Sequence, residues 1–243
     1  MINLQIESWA AMAPGLENKQ DWQQWLRQPT TISEPYSKPI LKQISPLLRR
    51  RLSTLGACAV GAAQQLVVQD ELIPSIFASR HGNAALSLSL QQSMGLGEPM
   101  SPTHFSLAVH NSISGLFSIA RKDTSEVSSI ACMEGLILNT LFEAVGQLQN
   151  SDKVLCVIYD APLPDLYRQH GKSVAFPYAI AIKLCRSGGD SYNIVQLEKA
   201  EMFSEQHLFN TEPLRFLELL SCMSKEMTTN INGAKWCITR AHQ

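Results

Sequence analysis

Cys132 is the residue with the most evident chemical potential, near the end of Val127-Ser128-Ser129-Ile130-Ala131-Cys132-Met133-Glu134-Gly135. The residues up to Ala131 suit a short strand and those after it a helix, which puts Cys132 at a strand-to-helix corner. A thiolate at a helix N-terminus has its pKa lowered by the helix dipole, and the free N–H groups of the first turn can form an oxyanion hole. That is the chemistry of acyl capture through a thioester. The alternative is a structural thiol.

The other reactive residue types are dispersed. Cys58, Cys132, Cys156, Cys185, Cys222 and Cys237 form no CxxC pair and have no close histidine, so they read as reduced, buried thiols rather than disulfides or zinc ligands. Histidines occur at positions 81, 104, 110, 170, 207 and 242. His81 and His104 read as hydrogen-bonded structural residues, and His110 as a satisfied buried histidine. No GxSxG elbow, Walker loop, GxGxxG or HExxH occurs, which argues against hydrolase, nucleotide and metal chemistry. No cofactor and no metal is expected.

These residues need a scaffold, and the composition is that of a globular one. The chain has 243 residues, 45% hydrophobic and 17% charged, with a formal net charge of -1. Near-neutral charge gives no long-range attraction to nucleic acid or to an anionic membrane. No apolar run approaches the roughly 20 residues that span a bilayer, and no basic start with an apolar run follows Met1, so a cytoplasmic protein is expected. The basic run Arg49-Arg50-Arg51 is either a solvated face or a dock for an acidic partner.

Residues 4–9 predict a first strand, and Trp22 and Trp25 sit in a short helix or lid. From Ser45 the sequence SPLLRRRLSTLGACAVGAAQQLVVQ has helical spacing, with Pro46 in the first turn and small residues permitting close packing. A strand is expected over 72–78 and a helix over 84–94. A helix over 105–120, apolar on nearly every side, predicts burial within a domain or at a subunit interface. The strand 127–131, the helix 134–148 and the apolar strand 153–159 follow. Residues 177–184 and 192–197 read as a hairpin turning at Ser187-Gly188-Gly189-Asp190, and 213–227 as a terminal helix. Alternating strands and helices predict one α/β layered domain over 1–243.

Several of these segments together resemble the ketosynthase family. In SPTHFSLAVHNSISGLFSI, Ser101-Pro102 opens a loop and Asn111 and Gly115 match an Asn-x-x-x-Gly helix. The segment around Cys132 is similar to the strand and Ala-Cys corner that presents the nucleophile of acyl-carrier-protein synthases. Arg49 to Ser53 (RRRLS), Ser79 to Gly82 (SRHG) and Pro162 to Tyr167 (PLPDLY) resemble a truncated branch, the ketosynthase-like N-terminal domain proteins of aryl polyene pigment clusters. The resemblance covers residues 6–197.

It implies a thiolase-like layered fold, mainly the N-terminal half of a ketosynthase. The family's catalytic histidines come from the second half, and no histidine here has an HGTGT-like or Asn-x-x-Phe-Gly-Phe-like context. Without such donors the decarboxylative barrier rises by several kcal/mol, each 1.36 kcal/mol being about tenfold in rate. The resemblance therefore implies a noncatalytic chain-length-factor-like subunit, with no catalytic residue expected. Its partners would be a catalytic beta-ketoacyl synthase, in a heterodimer, and an acyl carrier protein bearing an acyl or polyene thioester. It places His81, Asn83, Leu86, His104, Phe105, Asn111 and Phe117 at the tunnel or gate. The strand Val127, Ser128, Ser129, Ile130 and Ala131 would pair across the dimer axis. Two other readings remain: a minimal acyltransferase or decarboxylase using Cys132, and a homodimeric lipid- or polyene-binding protein.

Overall fold

The computed structural model describes residues 1–171, 173–197 and 211–241, so His207 and His242 lie outside the described residues. In chain order the elements are β1 (Ile2–Met12), α1 (Lys19–Arg27), α2 (Pro46–Arg51), α3 (Thr54–Gln64), β2 (Ser75–Ser79) and α4 (Ala84–Gly95). They continue with α5 (Pro102–Leu107), α6 (Ser112–Arg121), β3 (Val127–Ala131), α7 (Leu136–Gln147), β4 (Lys153–Asp160) and α8 (Asp165–Arg168). The last are β5 (Tyr178–Cys185), β6 (Asp190–Gln196), α9 (Glu212–Leu220), β7 (Glu226–Ile231) and β8 (Ala234–Arg240).

One sheet runs β3-β2-β4-β5-β1-β6-β8-β7. β2 is parallel to β3 and β4, and the remaining pairs are antiparallel. Alternate residues of β4 feed two separate cores. Val154, Cys156 and Ile158 pack with α1, α7 and α9, while Leu155, Val157 and Tyr159 pack with α3 and α6. A strand buried on both faces must be apolar at every position, as β4 is after Lys153 and before Asp160. The buried Ala57, Cys58, Ala59, Ala62 and Ala63 of α3 bring it close to the sheet. On the opposite face Trp22 and Trp25 of α1 meet Phe176, Trp25 edge-on at 5.4 Å, so α1 is core and not a lid.

Four segments differ from the sequence-based expectation. Residues 177–184 and 192–197 do form strands, but β5 and β6 do not pair with each other: β1 lies between them. The connection crosses the β1 backbone, where a Cβ on Gly189 would stand 2.6 Å from the Ile6 carbonyl oxygen. Gly189 serves a close crossing rather than a hairpin turn, and Gly188 supplies a positive φ of 90° in the bend beside it. The expected terminal helix over 213–227 ends at Leu220, and β7 and β8 follow as a hairpin. Its loop is Asn232-Gly233, both at positive φ (49° and 78°), the backbone a two-residue hairpin needs.

The helical stretch from Ser45 is divided at Leu52, whose backbone is extended, because the Ser53 hydroxyl accepts the Gly56 N–H at 3.1 Å and starts α3 anew. The expected helix over 105–120 is also two helices. Ser101 caps α5 by accepting the His104 N–H, and residues 108–111 form a turn before α6. Its apolar surface is not all covered, since Phe105 is 59% and Ile119 61% exposed.

Candidate functional site

Three features gather beside the β3 end of the sheet: the corner after β3, a cleft under α4–α6, and the β3 edge. At the corner the Cys132 N–H donates to the Ser79 carbonyl at 3.4 Å, extending the β2–β3 ladder by one bond. Met133 and Glu134 make the turn, and Gly135 enters α7 at φ +61°. Cys132 is half-buried. Its thiol pKa is raised by burial and then by the charge of Glu212, the reverse of the activation that a helix N-terminus gives a free thiol.

Glu212 is the unforeseen member of the corner. Gly135 supplies no side chain to cap α7, and the backbone N–H groups of Leu136 and Ile137 donate instead to the Glu212 carboxylate at 2.9 and 3.2 Å. Burial raises the Glu212 pKa, against the opposing pull of the Thr229 hydroxyl, these two N–H groups and Arg215. Ile231 of β7 sits over Gly135, where a Cβ would come within 2.2 Å of it. The end of the chain thus covers the start of α7. Thr211-Glu212-Pro213 reads as an ordinary helix start, and nothing in it points to another helix 76 residues away.

The histidines serve several places. His110 Nε2 bonds the Ile130 carbonyl at 2.8 Å, and the Tyr159 hydroxyl donates to the His110 carbonyl at 3.4 Å, so His110 ties the α5–α6 turn to β3. His81 follows Arg80, whose Nε pairs with the buried Asp160 at 2.7 Å, and its ring lies beside Gly171. His170 is exposed and bonded to Gln169. His104 lines a cleft of about 250 Å³ together with Arg50, Arg51, Asn83, Leu86 and Leu107.

Of the residues expected at the tunnel or gate, this cleft gathers Asn83, Leu86 and His104. Asn111, exposed, is the N-cap of α6, and Phe105 faces solvent from α5. Phe117 lies in the core 5.5 Å from the Phe77 ring.

β3 is the terminal strand on its side of the sheet. The Ser75 N–H donates to Glu126 O, and the Cys132 N–H to Ser79 O, so the even-numbered residues of this stretch face β2. The N–H and C=O groups of Val127, Ser129 and Ala131 therefore point to the open edge. Beside that edge stand the exposed side chains of Val127 and Met133.

The family model described as beta-ketoacyl synthase, N-terminal domain, matches residues 22–238. The chain belongs to this family. No curated protein matches it. Among solved structures it is similar to a chain of the ketosynthase ApeO in complex with its chain length factor ApeC from Xenorhabdus doucetiae. The TM-score is 0.81 at 24% identity, covering 99% of this chain and 100% of that one. The ishigamide ketosynthase/chain length factor matches with TM-score 0.64 and 13% identity over 80% of this chain and 68% of that one. A beta-ketoacyl synthase from Burkholderia phymatum STM815 matches with TM-score 0.57 and 8% identity, over 83% and 66%. At such identities the likeness is one of fold, and the fold is the thiolase-like α/β fold of ketosynthases. No helix among the described residues is long and apolar enough to cross a membrane.

Proposed function

We propose that this chain is a noncatalytic, chain-length-factor-like subunit. It pairs through β3 with a catalytic beta-ketoacyl synthase and shapes that enzyme's acyl tunnel in aryl polyene biosynthesis, a type II polyketide pathway. The observation that carries the reading is the β3 edge, unpaired among the described residues: three residues offer outward backbone groups, with exposed apolar side chains beside them. Such an edge is a template for a second strand, and an obligate interface built on it would bury roughly 2,000–5,000 Å².

The corner supports the noncatalytic half of the reading. Its donor pair is occupied by Glu212, and burial, then the Glu212 charge, raises the Cys132 thiol pKa. The cleft under α4–α6 joins apolar walls to Arg50 and Arg51, which suits an acyl chain on an acidic carrier protein. Asn83, Leu86 and His104 would line its wall, and Phe105 would reach toward the partner's tunnel.

The test is co-expression with a catalytic beta-ketoacyl synthase from the same organism, followed by co-purification and light scattering against each protein alone. A 1:1 complex supports the proposal. A well-behaved chain that ignores the ketosynthase overturns it. In that case a Cys132 adduct after incubation with an acyl-carrier thioester would point to the acyltransferase reading, and a stable self-dimer to the homodimeric lipid- or polyene-binding one.

A further inference from the structure

The first N–H groups of a helix have no partner within it. In α7 they belong to Leu136 and Ile137, whose residues are fully buried, so bulk water does not serve them. The acceptor comes from α9, far along the chain, as both oxygens of one carboxylate. Glu212 also lies in the first turn of α9 itself, so two helix N-termini converge on a single anion. The Thr229 hydroxyl adds a hydrogen bond and Arg215 a favourable charge. This is a complete anion site with its anion built in.

We infer that Glu212 is an internal stand-in for an acyl oxygen: by holding the Leu136 and Ile137 N–H groups it closes the β3–α7 corner to thioesters and keeps Cys132 unreactive. A thioester carbonyl entering here would have to displace both hydrogen bonds. It would also have to move Ile231, which packs on Gly135. The arrangement deepens the noncatalytic reading, because it names the group that makes the corner inert. Sequence position does not reveal it, since the plug arrives through α9 and β7.

The experiment is alkylation of the full chain with iodoacetamide at neutral pH, read at each cysteine by peptide mass spectrometry. The thiolate displaces iodide, forming one C–S bond and breaking one C–I bond. Exposed Cys222 and buried Cys156 serve as internal references. In Glu212→Ala the Cys132 rate should rise several-fold, since the charge that helps burial to raise the thiol pKa is gone, and added acetate should restore the slow rate by refilling the site. Glu212→Gln, which keeps the side-chain volume and one acceptor oxygen, should give a smaller rise without loss of fold. A rise confined to Cys132 supports the inference. No rise in either variant overturns it, and so does a rise shared with Cys156, because that reports general unfolding. The measurement needs no ketosynthase, so failure of the pairing proposal would leave its outcome unchanged.

Discussion

Replacing Ser129 by Pro tests the β3 edge at a single hydrogen-bond donor. The N–H of Ser129 points away from β2, so proline there removes no bond of the β2–β3 ladder. Proline is tolerated on an edge strand when its missing N–H faces outward. A partner strand would lose that bond and meet the ring. One net hydrogen bond is worth about 1 kcal/mol, and the ring's disturbance of the neighbouring bonds brings the loss to about 2–3 kcal/mol. That corresponds to a complex roughly 30- to 150-fold weaker. The substitution also removes the 3.2 Å contact between the Ser129 and Ser114 hydroxyls, and Ser129→Ala controls for this because it keeps the backbone N–H. Ser128→Pro is the opposite control: its N–H serves β2, and its hydroxyl bonds Glu143 and Gln147, so it should destabilise the chain itself. The assay is titration of each variant against the ketosynthase by calorimetry or light scattering, with melting curves of the chain alone. If Ser129→Pro binds as tightly as Ser129→Ala, β3 does not pair with the partner and the interface lies elsewhere.

Further outcomes are expected at other positions. Phe117→Ala opens a core cavity beside Phe77 and should cost about 3–5 kcal/mol in urea denaturation. Phe105→Ala, at a mostly exposed site, should leave stability within about 0.5 kcal/mol but lengthen the products of the complex, and an unchanged product distribution would refute the gate. Gly189→Ala should lower the melting temperature sharply, since its Cβ would press on the Ile6 backbone. Glu71→Gln should cost about 1–3 kcal/mol, because the buried Lys183 ammonium loses its carboxylate partner at 2.5 Å and keeps the Leu66 carbonyl at 3.3 Å and the Glu7 charge at 3.9 Å. Burial alone would raise the Glu71 pKa. The Lys183 hydrogen bond, the Val68 N–H and the charges of Lys183 and Lys153 outweigh it and hold the pKa below its usual value. Glu71 therefore binds protons more weakly folded than unfolded. Its contribution is present above the ordinary glutamate pKa and is lost as pH falls through the depressed one. Wild type and Glu71→Gln should accordingly converge in stability on acidification, and a constant gap would refute the ion-pair account.

Much of the architecture was legible because it is local. The apolar run of β4 and the Val127–Ala131 strand stand where their residue patterns place them, whereas Ser101-Pro102, expected to open a loop, starts α5. The β7–β8 hairpin also has a local signal, Asn232-Gly233 between β-favouring residues. Sequence alone also established the order of motifs that marks the ketosynthase family, together with the absence of that family's histidine contexts.

Partner identity within the sheet could not be read this way. Gly188-Gly189 suits a hairpin turn and a close crossing equally well, and only the insertion of β1 between β5 and β6 decides for the crossing. The same holds at the corner. Local pattern placed Cys132 before a helix, where an open N-terminus would activate it. Tertiary structure brought Glu212 and Ile231 onto that N-terminus, and burial, followed by the charge of Glu212, raises the thiol pKa where an open N-terminus would lower it. Sequence encodes the tendencies of neighbouring residues, whereas a pKa answers to whichever charge the fold sets beside it, however distant along the chain.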